Sequence, residues 1–358
     1  MMNPLRFGFL STAQIGRMNW KAIFHSGNAV VTAVASRDAA RSRAFIQTCQ
    51  TEARFEIPPS PLGSYEELLA SKNVDAVYIP LPTGLRKEWV LRAAASGKHI
   101  VCEKPCAVNA ADLGEMLAAC RKNRVQFMDG VMFMHNPRLD YIRRALDDQA
   151  SIGQVKRIMS CFSFRSDEDF LSTNIRARGE LEPAGCLGDL GWYCIRFILW
   201  VMRWQLPLQV SGRILSDSGP SQTGGPVPMD FSAELVFDGG VSACFYSSFL
   251  VENQQWVNVS GTRGSLRVLD FVHPTNVLEP AFEVNNTVIR VKAAADGQGT
   301  ADTAAQQTNM FRYFSNLILS GQLSETWPDI ALKTQQVMDA CLDSARAGGR
   351  AVSPGNLG

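Results

Sequence analysis

The first third of the chain alternates short apolar segments with more polar ones, and this alternation restricts the fold more than any other feature. Five apolar segments are expected to be strands: Leu5–Leu10, Ala29–Ser36, Asp75–Ile79, His99–Cys102 and Val125–Met128. Helices are expected between them, over 39–49, 65–70, 85–96 and 110–122. Nearly continuous apolar strands separated by helices are typical of a parallel sheet covered on both faces. We therefore expect a doubly wound α/β domain here.

The second half of the chain has a different pattern. Strands are expected over 155–164, 209–215, 230–237, 241–250, 255–260 and 265–269, and several of them alternate apolar with polar residues. Such alternation is typical of an antiparallel sheet with one exposed face. Helices are expected over 188–202, 304–319 and 330–346. We predict an α/β domain over 1–130 and an α+β domain with an open, mainly antiparallel sheet over 131–358, whose C-terminal helix is free to pack back on the first domain.

Composition excludes several classes of partner. The chain has 358 residues and a formal net charge of +1, which gives no electrostatic case for binding nucleic acid or an anionic membrane. Nine dispersed cysteines without a Cys-x-x-Cys pair favour a reducing compartment, and the N-terminus shows no signal peptide. The four histidines are not spaced as metal ligands, so we expect no metal site. We expect a cytoplasmic protein without a membrane span.

The turn after the first strand occupies the place of a nucleotide-binding loop. Dinucleotide-binding domains of the Rossmann type have Gly-x-Gly-x-x-Gly there, and only the third glycine, Gly16, is present in this chain. Small residues let the backbone approach a pyrophosphate at the helix N-terminus. The candidate cofactor residues of the turn are Ser11, Thr12, Ala13, Gln14 and Ile15. An ordinary strand-to-helix turn is the alternative interpretation.

Ser36 and Arg37 follow the second strand, where NAD-binding domains usually have an acidic residue for the ribose 2′-hydroxyl. A serine can donate a hydrogen bond to a 2′-phosphate, and an arginine can pair with it. This pair favours NADP over NAD. Asp38 is expected to cap the following helix. Alternatively, Arg37 is a solvated surface charge.

Glu103, Lys104 and Pro105 follow the strand at 99–102, at the edge where parallel sheets bind ligands. A lysine there can polarise a hydroxyl or carbonyl group of a substrate. The alternative is a surface lysine paired with Glu103. The sequence leaves the cis or trans state of the bond to Pro105 open.

Asp189 and Tyr193 are four residues apart at the start of the strongest helix of the second half, so they are expected to share a helix face. A carboxylate there can orient a hydroxyl group, and a phenol can exchange a proton with a carbinol oxygen. A helix cap and a core aromatic residue are the respective alternatives.

Taken in order, these segments closely resemble the glucose–fructose oxidoreductase, inositol dehydrogenase and rhizopine-catabolism (Gfo/Idh/MocA) family. The resemblance rests on the turn at 8–16, the segments 80–83, 103–105 and 185–193, and Gly-Thr-Arg-Gly-Ser-Leu at 261–266. It implies a Rossmann domain followed by an α/β domain, and oxidation of a carbinol or reduction of a carbonyl with NAD(P). It also adds Leu81, Pro82, Thr83, Glu103 and Lys104 to the cofactor residues. Family members commonly form dimers through the sheet, and some form tetramers.

Two positions resemble particular branches, and others depart from the family pattern. Tyr193 stands where most sugar dehydrogenases of the family have histidine, which resembles the glucose–fructose oxidoreductase and the dimeric dihydrodiol dehydrogenase/D-xylose dehydrogenase branches. Ser36 and Arg37 resemble the NADP-using members. The departures are Ser11 and Ala13 in place of glycines, and Arg86 in place of a frequent histidine.

The resulting hypothesis is an NADP-dependent oxidoreductase acting on an aldose or a cyclic diol. Tyr193 would be the acid/base, Lys104 would tune it, and Asp189 would orient the substrate. Candidate pocket residues are Phe133, His135, Arg138, Asn174, Arg176 and Trp192. A homodimer or homotetramer is expected, with an exposed apolar sheet face formed by Phe162, Phe164, Phe245, Tyr246 and Phe249. The alternatives are a non-catalytic NADP-binding sensor or scaffold, and a sugar oxidoreductase that keeps its cofactor bound.

Overall fold

The structure is a computed structural model that describes residues 3–167, 170, 174–219, 225–293 and 299–356. The chain divides into two compact units. The first unit contains residues 1–106, 111–136 and 294–331, and the second contains 107–110, 137–293 and 332–358. The proposed domain boundary after residue 130 stays a prediction.

The first unit contains a six-stranded parallel sheet, as the sequence predicts. Its strands are β1 (Leu5–Leu10), β2 (Ala29–Ala35), β3 (Ser60–Leu62), β4 (Ala76–Ile79), β5 (His99–Cys102) and β6 (Phe127–Asp129). Its helices are α1 (Ile15–Ser26), α2 (Ala39–Glu52), α3 (Tyr65–Ala70), α4 (Thr83–Ala95) and α5 (Ala110–Lys122), of which Ala110 itself belongs to the second unit. The strand order is β3-β2-β1-β4-β5-β6, so the direction of winding reverses between β1 and β4.

The core of the first unit is aromatic and closely packed. Phe9 and the next residue, Leu10, of β1 are both fully buried, as expected for a central strand with both faces covered. A β-carbon on Gly16 would lie 3.1 Å from the ring of Phe45 on α2, so this glycine lets α1 approach α2 closely. The unit also contains helices α8 (Ala301–Ala304) and α9 (Gln306–Leu319), and the ring of Phe311 packs at 5.4 Å from that of Phe7.

The second unit contains a mixed, mainly antiparallel sheet of eight strands. They are β7 (Val155–Ser163), β8 (Gln209–Asp217), β9 (Pro228–Val236), β10 (Ser242–Ser248), β11 (Gln254–Gly261), β12 (Ser265–Val268), β13 (Ala281–Val284) and β14 (Thr287–Arg290). The order is β14-β13-β12-β11-β7-β10-β9-β8. β7 and β10 pair in parallel and the other neighbours are antiparallel. The predicted fold class is therefore confirmed.

The helices of the second unit pack on one side of this sheet. α6 covers Arg138–Asp147, a π-helix covers Leu187–Gly191, and α7 follows at once over Trp192–Val201. The last helix, α10 (Thr326–Arg346), crosses the boundary of the units after Ala331. Within the described residues, no helix combines the length and apolarity that a membrane crossing needs.

The expectation of an exposed phenylalanine face was wrong. Phe162, Phe245 and Phe249 are buried, and a β-carbon on Gly191 of the π-helix would lie 3.3 Å from the Phe245 ring. Side chains alternate between the faces of a strand, so Phe245 lies on the covered face and Tyr246 on the other. The uncovered face carries Met159, Cys161, Cys244, Tyr246 and Trp256, which help to line an open depression of about 600 Å³.

Candidate functional site

The predicted cofactor residues of the first unit all follow the carboxyl ends of parallel strands. The turn at 11–15 follows β1, Ser36 and Arg37 follow β2, Leu81–Thr83 follow β4, and Glu103 and Lys104 follow β5. The carboxyl ends of parallel strands meet at one edge of a sheet, and ligands of open α/β sheets bind there, where the strand order reverses. The structure therefore brings this set of residues to a single edge.

In the turn after β1, a serine takes a backbone conformation that is usual for glycine. Ser11 has a φ of 129°, a backbone conformation that favours glycine. Its hydroxyl accepts a hydrogen bond from the N–H of Ala13 at 3.1 Å, and the N–H of Gly16 donates to the Ala13 carbonyl at 2.8 Å. Gln14 does not cap α1 with its side chain, which suits an anion at the helix N-terminus.

Ser36 and Arg37, which follow β2, differ in exposure to solvent. Ser36 is buried; its hydroxyl donates to the Asp38 carbonyl at 2.6 Å and accepts from the Ser42 hydroxyl at 3.0 Å. Its hydrogen is therefore already used, while Arg37 is exposed. Asp38 caps α2 through a 2.8 Å hydrogen bond from the N–H of Ala40, as expected.

A second arginine lies in the same neighbourhood. Burial raises the pKa of Tyr65, and the positive charges of Arg37 and Arg41 oppose this rise. Both guanidinium groups therefore lie within electrostatic reach of the Tyr65 phenol. Arg41 was not among the residues predicted from the sequence. Its position at the start of α2, the helix that follows the end of β2, could have indicated it. The pair fits the negative charge of a 2′-phosphate.

The turn that carries Lys104 is anchored through Glu103. The Tyr78 hydroxyl donates to Glu103 Oε1 at 2.6 Å, and Asn19 Nδ2 donates to the Tyr78 oxygen at 2.5 Å. Burial, and next the charge of Glu103, raise the pKa of the Tyr78 phenol far above its usual value, so Tyr78 stays a neutral donor. The Glu103 carboxylate is thus turned toward β4 and α1. The Lys104–Pro105 bond is cis.

In the second unit, Asp189, Arg176 and Tyr193 form one cluster. Arg176 Nε lies 2.9 Å from Asp189 Oδ2, and the Asp189 side chain is 15% exposed. The charge of Asp189 is the largest cause of the raised pKa of Arg176; Glu182 and Tyr193 contribute less. Asp189 lies in the π-helix and Tyr193 in the first turn of α7. π-helical turns are rare and frequently occur at functional sites.

Neighbouring side chains support this cluster. The Asn174 side chain accepts a 3.0 Å hydrogen bond from the N–H of Arg176 and caps the short 3₁₀-helix at 175–177. The ring of Phe162 packs edge-on against Tyr193, with centroids 5.6 Å apart. Asn174 and Arg176, both proposed as pocket residues, are therefore next to the segment that carries Asp189 and Tyr193.

The remaining candidate pocket residues are mostly built into the packing of their own units. Phe133 and Trp192 are fully buried. Arg138 is 1% exposed and binds the Asp270 carboxylate at 2.6 Å, so its guanidinium charge has a partner within the second unit. His135 stacks on Trp327 at 4.7 Å in the first unit. Among the described residues, no group of three acidic, histidine or cysteine side chains could hold a metal ion.

Comparison with known proteins identifies the family. A model of the oxidoreductase family with an NAD-binding Rossmann fold, GFO_IDH_MocA, matches residues 5–131, and the GFO/IDH/MocA C-terminal domain matches residues 140–267. The chain belongs to the Gfo/Idh/MocA family. The resemblance seen in the sequence is thus confirmed, and the chain is an oxidoreductase.

Several members of the Gfo/Idh/MocA family are similar over most of the chain. D-xylose 1-dehydrogenase (NADP(+)) 2 of Haloferax volcanii is 29% identical over 350 residues, which cover 96% of this chain and 98% of the relative. Trans-1,2-dihydrobenzene-1,2-diol dehydrogenase of Mus musculus is 34% identical over 69% of each chain. A 3-ketoreductase from Actinomadura kijaniata, solved with NADP and TDP-benzene, has a TM-score of 0.81 at 24% identity and covers 96% of this chain and 98% of its own.

Proposed function

We propose that this protein is an NADP-dependent oxidoreductase that transfers a hydride between nicotinamide and a carbinol or carbonyl carbon of an aldose or a cyclic diol. The observation that carries the proposal is the Asp189–Arg176 ion pair beside Tyr193. It fixes a carboxylate through an arginine that also interacts electrostatically with the Tyr193 phenol, within the region matched by the family's C-terminal domain. The relatives that act on D-xylose and on a dihydrodiol support the substrate class.

The residues at the edge of the parallel sheet fit NADP. Arg37 and Arg41 would pair with the 2′-phosphate, because an arginine fork matches phosphate geometry. The residues at 11–15 would hold the pyrophosphate at the start of α1, and Leu81, Pro82, Thr83, Glu103 and Lys104 would line the rest of the cofactor site. Ser36 would then support the shape of the loop. When bound, the nicotinamide supplies or accepts the hydride.

We assign the proton steps to this chain's own residues. In the oxidation direction, the ionised Tyr193 oxygen takes the proton of the carbinol hydroxyl as the hydride leaves the same carbon; reduction reverses both transfers. Asp189, held by Arg176, would orient a substrate hydroxyl by accepting its hydrogen bond. Lys104 acts in the same reaction by polarising the reacting oxygen. The other candidate pocket residues are not assigned a proton step.

The decisive experiment is an initial-rate assay over aldoses, inositols and dihydrodiols, with NADP⁺ and NAD⁺ compared at each substrate. We expect turnover with a member of the aldose or diol group and a preference for NADP⁺. Tight NADPH binding without turnover on the whole panel would contradict the proposal and favour a sensor. Cofactor retained through purification would instead favour an enzyme that cycles two sugars on one bound cofactor.

We also propose that the protein is a cytoplasmic homodimer or homotetramer assembled through the uncovered face of the second unit's sheet. Half-buried Tyr246 and Trp256 line its depression, and Arg157 pairs with Glu234 on the same face. All nine cysteines are free, which suits a reducing compartment. Light scattering should give a molecular mass that is a multiple of the chain mass. Trp256→Glu should lower this mass, whereas Ile57→Glu, a change in the first unit, should leave it unchanged. A monomeric wild type would disprove this assembly.

A further inference from the structure

Arg86 is a buried cation whose role none of the assignments above explains. It lies on α4 and is 5% exposed. Its Nε donates to the carbonyl of Leu81 at 2.6 Å, and its Nη1 donates to the Thr83 hydroxyl at 3.1 Å. Nη1 also donates to the carbonyl of Pro105. One side chain therefore joins the loop that follows β4 to the loop that follows β5.

These bonds hold the chain directly after Lys104. Pro105 is the next residue, so a donor fixed on its carbonyl restricts the Pro105–Cys106 peptide, one residue beyond Lys104. On the other side, Glu103 is anchored by the Tyr78 hydroxyl at 2.6 Å. Lys104 thus lies between two anchored neighbours, one held from β4 and the other from α4.

We propose that Arg86 is a positioning residue that fixes the Lys104 backbone and joins it to the Leu81–Thr83 loop. The fork of the guanidinium matters because its donors point in fixed, different directions, whereas a lysine has one compact ammonium group. A lysine at position 86 could satisfy one carbonyl, but it could not hold Leu81 and Pro105 together. The role of Lys104 in turnover rests on the proposed function; the anchoring of its backbone does not.

The test compares Arg86→Lys with Arg92→Lys. Arg92 is on the same helix, is half-exposed, and pairs with Glu66 and Glu88. A displacement of about 1 Å at a reacting group can cost roughly a hundredfold in rate. We expect Arg86→Lys to lower kcat about 10- to 100-fold with a smaller change in KM, and Arg92→Lys to leave both unchanged. Arg86→Gln, which keeps a short donor without the charge, serves if the lysine variant does not fold.

A double variant shows whether Arg86 acts through Lys104. If it does, adding Arg86→Lys to Lys104→Met should cost almost nothing beyond Lys104→Met alone, because the positioned group is already absent. A purely structural role would instead lower the two backgrounds by the same factor. Equal losses in both backgrounds, or an unchanged kcat in Arg86→Lys, would overturn the proposal.

Hydrogen exchange provides a readout without turnover. The amide hydrogens of Glu103, Lys104 and Cys106 should exchange faster in Arg86→Lys than in wild type, and at wild-type rates in Arg92→Lys. If no substrate on the panel turns over, the proposed function fails, yet this exchange comparison still decides the anchoring. Unchanged exchange at 103–106 in a folded Arg86 variant would overturn the positioning role on its own.

Discussion

The two candidate sites are built by different means. In the first unit, the candidate groups stand on separate loops after parallel strands. Side chains from elsewhere in the unit anchor the loop after β2, where Ser42 binds Ser36, and the loop after β5, where Tyr78 binds Glu103 and Arg86 binds Pro105. In the second unit, Asp189 and Tyr193 stand on one continuous helical segment and Arg176 binds Asp189 directly.

This difference teaches what each site is suited to do. An edge of anchored loops presents backbone groups and arginines over a long surface, which suits a large ligand such as a dinucleotide. A compact cluster of a phenol, a carboxylate and a guanidinium suits chemistry at one atom. Changes at the edge, other than those to Lys104 and to Arg86 that positions it, should therefore alter cofactor affinity and stability, and changes in the cluster should alter turnover. The predictions below can separate these effects.

The largest effect is expected in the cluster. Tyr193→Phe removes the proton-exchanging hydroxyl but keeps the ring that packs on Phe162. Turnover should fall by about 10²- to 10⁴-fold, the usual contribution of a general acid or base, while NADPH affinity stays unchanged. Steady-state rates and fluorescence titration measure the two quantities. Tyr141→Phe, at a tyrosine that is 46% exposed, is the matched control. Wild-type turnover in Tyr193→Phe would remove the phenol from the mechanism.

The next effect is expected at the edge of the parallel sheet. Arg37→Ala should weaken NADPH binding about 10- to 100-fold and leave NADH binding unchanged, because hydrogen bonds to charged groups contribute about 1.5–3 kcal/mol. Calorimetric titration with both nucleotides measures this. Arg43→Ala, at an exposed arginine of the α2 helix that follows Arg37, should change neither affinity. If NADPH and NADH lose affinity equally, Arg37 does not read the 2′-phosphate.

Local patterns predicted the fold better than they predicted the sites. The helices at 65–70 and 110–122 were predicted to the residue because apolar spacing and capping residues define them locally. The β13–β14 hairpin was missed, although Asn285 and Asn286, both with positive φ, form the kind of turn that favours hairpins. β3 was missed because Pro61 argues against a strand except at a sheet edge, where it lies.

Tertiary contacts account for the rest of what the sequence did not reveal. Alternation in β10 separates Phe245 from Tyr246 but does not say which face the helices cover, so the exposed face was assigned wrongly. The pairing of Arg176 with Asp189 links a short 3₁₀-helix to the π-helix, and no local spacing encodes it. The hydrogen bond that the Ser36 hydroxyl accepts likewise comes from Ser42 of α2.

A smaller effect concerns a carboxylate outside both sites. Burial raises the pKa of Asp339 to about 6, although its carboxylate accepts a 2.6 Å hydrogen bond from the N–H of Ala110. Its folded pKa exceeds the unfolded one, so its contribution to stability is complete below about pH 4 and is lost as the pH rises through 6. We expect this to lower wild-type stability by about 1–2 kcal/mol between those values, after allowance for partial exposure.

Urea unfolding of the wild type and of Asp339→Asn at several pH values measures this loss. The variant should lack that decline, and Asp329→Asn, at an exposed residue of the same helix, should retain it. Parallel curves for the wild type and Asp339→Asn would assign the decline to other groups. The kcat of Asp339→Asn should be unchanged, which keeps this titration separate from the cluster.

The smallest effect is expected at the turn after β1. Ser11 holds a φ of 129°, which costs a non-glycine residue on the order of 1–3 kcal/mol. Ser11→Gly relieves that strain but adds freedom to the unfolded chain and removes the hydroxyl that accepts from the Ala13 N–H. We expect a net gain of about 1 kcal/mol in the free energy of unfolding, whereas Ser11→Ala keeps the strained backbone, loses the acceptor and should be destabilised.

Denaturant unfolding of these two variants, together with NADPH titrations, tests whether the backbone of this turn already has the conformation that binds the cofactor. If Ser11→Gly raises both stability and NADPH affinity, the serine stores strain that the cofactor does not need. A gain in stability with a loss of affinity would mean that the strained turn is already shaped for the pyrophosphate. Destabilisation by glycine would show that the hydroxyl contact outweighs the strain, and the edge would then depend on side-chain bonds as much as the cluster does.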